Sequence, residues 1–446
     1  MINTEKINEI LGIDDIYKAP EALLEMLYNK SKREAVFNQF LKLFNNKLDF
    51  DYFHQYFQDE AAERKKQKQD FTPMSVSSLI SQLVESDLSY KYFESAAGTG
   101  GMMIAKWSIN TNDCFYVCEE LSDRAFPFLL FNMAIRGING VVIHCNSLTR
   151  ECYGVFKIKN RDNSRFSSIN LMPYGEVTET YYNVKTVLKK YTPLVEDDGE
   201  FINEPEFYNA VVMNPPYSAV WGADDKFLSD PRFERYGRLA PKSKADFAFL
   251  LHGFYHLNEK GTMGIVLPHG VLFRGSAEGI IRKTLLGMGA IDAVIGLPPN
   301  IFYGTSIPTV VLILKKKRTG RDVLFIDASN DYEKQKNQNN LRNEDIAKIV
   351  DAYKKRKNIS KYAHVASFEE IAGNDYNLNI PRYVDTFEEE EQIDIVALSK
   401  EMIDLNKQIR QSETEFLGLL NELAETDETR DIIEATKRIF IQAGQK

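Results

Sequence analysis

Ala210-Val211-Val212-Met213-Asn214-Pro215-Pro216-Tyr217 is the stretch that decides the fold class of this chain. Its four apolar residues read as a short buried strand. The two prolines then end that strand, because each lacks a ladder N–H and fixes its own φ. A polar group and a ring are thereby presented at a rigid strand tip. Asn214 offers an amide oxygen and Tyr217 a flat aromatic face. The pair suits a planar substrate carrying an NH₂ group. The Asn oxygen and a proline carbonyl accept its two N–H bonds while the ring stacks on it. Accepting both hydrogens makes the nitrogen lone pair more available for attack.

Working outward, similar short apolar runs stand on both sides. Lys91–Ser95, Phe115–Cys118 and Val141–His144 precede it, and Gly264–Leu267, Ala293–Gly296 and Thr309–Leu314 follow. Helical stretches such as Leu121–Arg136 and Asp246–Leu257 separate several of them. This alternation predicts an α/β fold with a mostly parallel sheet and helices on both faces. Ligands of such sheets sit at the carboxyl ends of the strands, near the switch point. Two segments there carry the right chemistry. Phe93-Glu94-Ser95-Ala96-Ala97-Gly98-Thr99-Gly100-Gly101 leaves a strand and enters a helix, with glycines that permit a tight turn and close approach of a ligand. Glu119 ends the next strand and is placed to accept hydrogen bonds from ribose hydroxyls. Together they point to a nucleoside-bearing cofactor.

The flanks differ in character. Residues 20–57 read as helical, with Val36, Phe37, Phe40, Leu41 and Phe44 on one stripe, and predict a small N-terminal helical domain (1–68) with its own core. The catalytic domain spans 69–385, with a polar insertion at about 151–208 that either covers the substrate face or is inert surface. A helical tail spans 386–446. In it Ile395, Leu398, Met402, Leu405, Ile409, Phe416, Leu419 and Leu423 form a heptad seam interrupted at Ser412.

A net charge of −9, from 64 acidic and 55 basic residues, does not favour grip on nucleic acid by bulk electrostatics. Such a substrate would need a local basic path or a more basic partner. The basic runs Lys315–Arg318 and Lys354–Lys357 are candidate phosphate contacts. No window suits a membrane span and the N-terminus lacks a secretory pattern, so a cytoplasmic protein is expected. The four cysteines suggest neither a disulfide framework nor a metal site.

These motifs carry a family resemblance. The chain resembles amino-methylating DNA methyltransferases and, more closely, the modification (M) subunits of type I restriction–modification systems. The likeness runs from about Gln69 to Asp385. Besides the glycine and Asn-Pro-Pro-Tyr segments it includes Gln69-Asp70-Phe71-Thr72-Pro73, Asp246-Phe247-Ala248-Phe249-Leu250, and Gly264 to Arg274. Gly296-Leu297-Pro298-Pro299-Asn300-Ile301-Phe302-Tyr303-Gly304 and Asn377-Leu378-Asn379-Ile380-Pro381-Arg382-Tyr383 complete it.

The resemblance implies a Rossmann-like fold that uses S-adenosyl-L-methionine to methylate N6 of adenine in double-stranded DNA. It implies that Gln69, Asp70, Phe71, Thr72, Pro73, Glu94, Gly98, Thr99, Gly100, Gly101, Glu119 and Asn146 surround the cofactor. Asn214, Pro215, Pro216 and Tyr217 would hold the adenine, with Phe302 and Tyr303 as candidates for its other face. Asp246 is expected to be a helix N-terminal residue rather than a base. Glu94, Ser95, Ala97, Asp70 and Asn146 depart from the family's usual residues at their positions. The implied partners are a specificity (S) subunit flanked by two M chains and, in some systems, a restriction (R) subunit. A stand-alone adenine methyltransferase and a non-catalytic scaffold subunit are the alternatives.

Overall fold

The computed structural model describes residues 4–54, 56, 72–84, 91–109, 114–161, 163–177, 184–196, 207–302, 306–336, 338–386, 394–423, 426 and 428–443. Among the described residues three helices come first, α1 (Thr4–Leu11), α2 (Ala19–Leu27) and α3 (Lys30–Leu43), followed by α4 (Met74–Leu83). Strand and helix then alternate: β1 (Lys91–Ser95), α5 (Gly101–Ile109), β2 (Phe115–Glu120), α6 (Phe126–Ile135) and β3 (Asn139–Cys145). Strands β4 (Glu151–Lys159), β5 (Ser168–Leu171) and β6 (Thr186–Val187) lead to β7 (Tyr208–Met213), α7 (Asp246–His256) and β8 (Leu257–Pro268). Next come α8 (Ser276–Gly287), β9 (Ile291–Gly296), β10 (Thr309–Lys315), β11 (Val323–Asp327), α9 (Asn343–Lys355), β12 (Ala363–Ala366) and α10 (Phe368–Gly373).

Among the described residues a twelve-stranded sheet runs β12-β11-β9-β10-β8-β7-β1-β2-β3-β4-β5, with β6 beside β4. Its centre, β3-β2-β1-β7-β8, is parallel, and β10, β4, β5 and β12 pair antiparallel at the flanks. The order reverses between β1 and β7. There Ser95 pairs with Met213 on one side and with Glu119 on the other, so three loops leave the sheet side by side. The buried side chains form one cluster on each face, Tyr116 and Cys118 facing one and Val117 the other.

The N-terminal helices do not keep a core to themselves, as the sequence suggested. Phe37 and Phe40 each stand 4.8 Å from Phe131 of α6, and Phe53 stands 4.6 Å from Phe128. Their aromatic stripe is the outer half of a layer whose inner half is α6, and residues 1–386 form one compact unit. Within the 151–208 stretch, β4 and β5 continue the sheet past β3.

Residues 387–446 form a second unit. Within it α11 (Ile395–Glu422) and α12 (Arg430–Ala443) meet at Phe416 and Phe440, whose rings are 5.1 Å apart. Ile395, Met402, Leu405 and Leu419 of the heptad seam are exposed.

Candidate active site

At the switch point the loops after β1, β2, β3 and β7 enclose a cavity of about 640 Å³. Of the residues singled out in the sequence, Thr72, Glu94, Gly98, Thr99, Gly101, Asn146, Asn214, Pro215, Pro216 and Tyr217 line it. Gln69, Asp70, Phe71 and Tyr303 lie outside the described residues. Pro73 instead caps α4, and Gly100 faces α6, where a Cβ would come within 2.8 Å of Leu129 Cδ1.

Asn214 is oriented from behind. Its Nδ2 donates to Thr72 Oγ1 at 2.7 Å, which turns Oδ1 away from Thr72. Tyr217 donates its hydroxyl to that Oδ1 at 2.8 Å and meets Phe302 edge-on at 5.7 Å. The turn after Tyr217 is fixed by Asp246. Its Oδ1 accepts the Ser218 N–H at 2.8 Å, at a residue with φ of 50°, and its Oδ2 pairs with Arg274 at 2.5 Å. Asp246 is the first residue of α7 and is fully buried. It supports the loop, in keeping with the helix-terminal expectation.

The glycine loop turns sharply. Ala96, Gly98 and Gly100 have φ of 61°, 59° and 90°. A left-handed alanine stores strain of the kind found at ligand-binding turns, about 1–3 kcal/mol. At Gly101 a Cβ would meet nothing within 4 Å. That open position, on the cavity wall at the start of α5, leaves backbone room for a ligand.

The acid beside this loop is Glu120, not Glu119. Alternation along β2 sends consecutive side chains to opposite faces. Glu120 lines the cavity and accepts the Gly98 and Ser122 N–H groups at 2.6 and 2.7 Å. Glu119 points into the other layer, fully buried. Arg150 contacts it at 2.5 Å, and His252 donates to it at 2.9 Å while accepting from Arg232 at 3.1 Å. Burial acts to raise the Glu119 carboxyl, but Arg150 and His252 outweigh it and hold it well below the usual range. Glu119, the residue expected at the ribose, therefore does not line the cavity, and its neighbour Glu120 does. Glu119, His252 and His256 come together as a metal site would, yet the Arg150 and Arg232 guanidiniums already supply the cationic partners there.

Two further acids and amides shape the cavity. Burial pushes the Glu94 carboxyl up to about 8, against the Tyr92 hydroxyl at 2.7 Å and the Met103 N–H. Burial also raises Glu120. Asn146 lines the wall with its Oδ1 engaged by the Leu148 and Thr149 N–H groups at 3.0 and 3.1 Å. The sequence reading missed His54, Met102, Arg124, Ser147 and Phe249 on this wall. The first lies far from the motifs along the chain, and no spacing signals it.

The basic runs are elsewhere. Lys315 ends β10 and pairs with Thr262 in the middle of β8, away from the carboxyl end of that strand at Pro268. Lys315, Arg318 and Arg356 surround the buried Asp292 at 3.0–3.1 Å. These three form an ion network around Asp292, while Lys317 and Lys355 of the same runs are exposed.

The model of the N-6 DNA Methylase family matches residues 49–392, which take in every loop of this cavity. The chain belongs to that family. A relative among known methylases, the MpnII methylase subunit of a type I restriction enzyme from Mycoplasma pneumoniae, is 32% identical over 352 residues, 76% of this chain and 58% of its own length. The MjaVIII methylase subunit of Methanocaldococcus jannaschii is 28% identical over 443 residues, covering 95% of this chain and 68% of that protein. A solved methyltransferase subunit of a type I restriction–modification system from Streptococcus thermophilus superposes with a TM-score of 0.58. It is 42% identical, over 75% of this chain and 64% of its own. The chain thus spans roughly three-fifths to two-thirds of the length of these methylases.

Proposed function

We propose that this chain transfers a methyl group from S-adenosyl-L-methionine to N6 of adenine in DNA, as the M subunit of a type I restriction–modification complex. The observation that carries this reading is the single cavity in which the Asn214–Tyr217 tip meets the glycine loop and Glu120. An acceptor for an exocyclic amine and a cradle for a nucleoside cofactor share one space. The residues fit the cofactor: Gly101 leaves room, and Glu120 offers carboxylate oxygens at the end of β2.

S-adenosyl-L-methionine supplies a methyl group already activated on sulfur. The protein's task is alignment, which can lower a barrier by roughly 7–11 kcal/mol. Asn214 Oδ1 and the Pro215 carbonyl accept the adenine amino hydrogens. Tyr217 exchanges its hydrogen bond with Asn214 for a stacking contact, worth about 1–3 kcal/mol per base. That gain offsets part of the few kcal/mol needed to unstack the base. Incorporation of labelled methyl into DNA tests the reading.

Glu94 gives this binding a pH signature. With its carboxyl at about 8, Glu94 is protonated at neutral pH before a ligand binds. A cationic ligand favours the carboxylate, so binding releases a proton and tightens as pH rises toward about 8. Calorimetry of S-adenosyl-L-methionine binding at pH 7, in buffers of different ionisation enthalpy, should show that release. A buffer-independent heat would contradict it.

The second unit supplies the partner surface in this reading. The exposed seam of α11 packs on helices of an S subunit, two M chains flank it, and an R subunit joins in restriction. Deleting residues 387–446 should abolish co-purification with the S subunit and leave cofactor binding intact. Retained assembly would return the seam to a role within this chain.

A further inference from the structure

The N-terminal helices reach the cavity through one short segment after α3. Asp51 is 4% exposed. Its Oδ2 accepts the Thr99 hydroxyl at 2.5 Å, and its Oδ1 accepts Asn132 Nδ2 at 2.9 Å and the Phe53 N–H at 3.0 Å. Asn132 Nδ2 also donates to the Thr99 carbonyl at 2.8 Å, so Thr99 is held by side chain and main chain together. Arg136, at the C-terminal cap of α6, donates to the Leu48 and Phe50 carbonyls at 2.9 and 2.6 Å and to Asn132 Oδ1 at 2.8 Å. His54 follows on the cavity wall.

We propose that the segment 48–54 supports the cofactor pocket, with Asp51 a positioning residue that fixes the glycine loop through Thr99 and His54 on the pocket wall facing the cofactor. The inference rests on the reading of this cavity as the S-adenosyl-L-methionine pocket. Its physical basis is twofold. A loop with Gly98 and Gly100 at positive φ has little conformational preference of its own and must be held from outside. A buried carboxylate in turn requires its donors, and hydrogen bonds to an ionised group are roughly twice as strong as neutral ones. The loop and the N-terminal segment are therefore ordered as one piece, and cofactor affinity depends on residues nearly fifty positions ahead of the loop.

The test is calorimetric binding of S-adenosyl-L-methionine and S-adenosyl-L-homocysteine to the full chain and its variants. Asp51→Ala should raise Kd about tenfold, the scale of one hydrogen bond to a charged group. Thr99→Val should do the same, and Thr99→Ser should restore binding. The double variant Asp51→Ala/Thr99→Val should be no worse than the weaker single, because both remove the same bond. Tyr56→Phe, which removes a bond from Tyr56 to Asn8 at 2.6 Å, serves as the stability control and should leave Kd unchanged. If Asp51→Ala does not fold, the two Thr99 variants decide alone. Wild-type affinity in Asp51→Ala or Thr99→Val, or an equal loss in Tyr56→Phe, would overturn the proposal while leaving the cofactor reading in place. No binding by the unaltered chain would overturn both.

Discussion

Asn214→Ala should lower methyl transfer by on the order of 10²–10³-fold, the scale seen when one preorganised electrostatic group is removed from a reaction centre. Cofactor affinity should stay within a few-fold of the unaltered chain. The expectation follows from where each atom points. The Asn214 amide nitrogen is tied to Thr72, which leaves the oxygen as the acceptor on the cavity side. Methylation turns an amine into a cation, so an acceptor held in place before the reaction stabilises charge as it develops. Alanine removes that acceptor without touching the glycine loop or Glu120. Tyr217 offers a companion comparison. Tyr217→Phe keeps the ring and frees Asn214 Oδ1, and should retain activity, whereas Tyr217→Ala loses the stacking face and should not. Single-turnover transfer to DNA, measured beside the Kd for S-adenosyl-L-methionine, checks all three. Unchanged turnover in Asn214→Ala would remove Asn214 from the site.

Glu119→Gln and Glu120→Gln should fail in opposite ways although the residues are neighbours. Glu119 sits under the sheet with Arg150 at 2.5 Å, both fully buried. Breaking a buried pair leaves an uncompensated charge and costs about 3–5 kcal/mol. That variant should unfold at a clearly lower temperature, yet still gain stability from added cofactor. Glu120 lines the cavity and ties Gly98. Its variant should unfold near the normal temperature but lose on the order of 10–100-fold in cofactor affinity, since a bond to a charged group contributes about 1.5–3 kcal/mol. Thermal unfolding with and without S-adenosyl-L-methionine separates the two. The reverse pattern would return the ribose to Glu119.

That contrast marks how far the sequence could be read. The strand tip at Asn214 was legible because prolines, amide and ring are contiguous and their chemistry is local. The mostly parallel sheet was legible because apolar runs and helical stretches alternate. Glu119 was misplaced by one residue, although strand alternation carries the information: Tyr116, Cys118 and Glu120 share a face, and Val117 and Glu119 share the other. Asp51 and His54 were illegible for a different reason. Their role comes from the packing of Phe37, Phe40 and Phe53 on α6, which brings a distant segment to the glycine loop. A helical stripe predicts that a face is buried but does not say against what. The same applies to the basic run at Lys315–Arg318, whose charge pattern gives no sign of the buried Asp292 that it surrounds.

The most direct measurement is transfer of labelled methyl from S-adenosyl-L-methionine to unmethylated DNA by the chain with its S subunit, followed by digestion to nucleosides. The label should appear as N6-methyl-2′-deoxyadenosine, and Asn214→Ala should lower it by on the order of 10²–10³-fold. Label in cytosine, or none in DNA from a complex that binds the cofactor, would contradict the assignment of this cavity to adenine methylation.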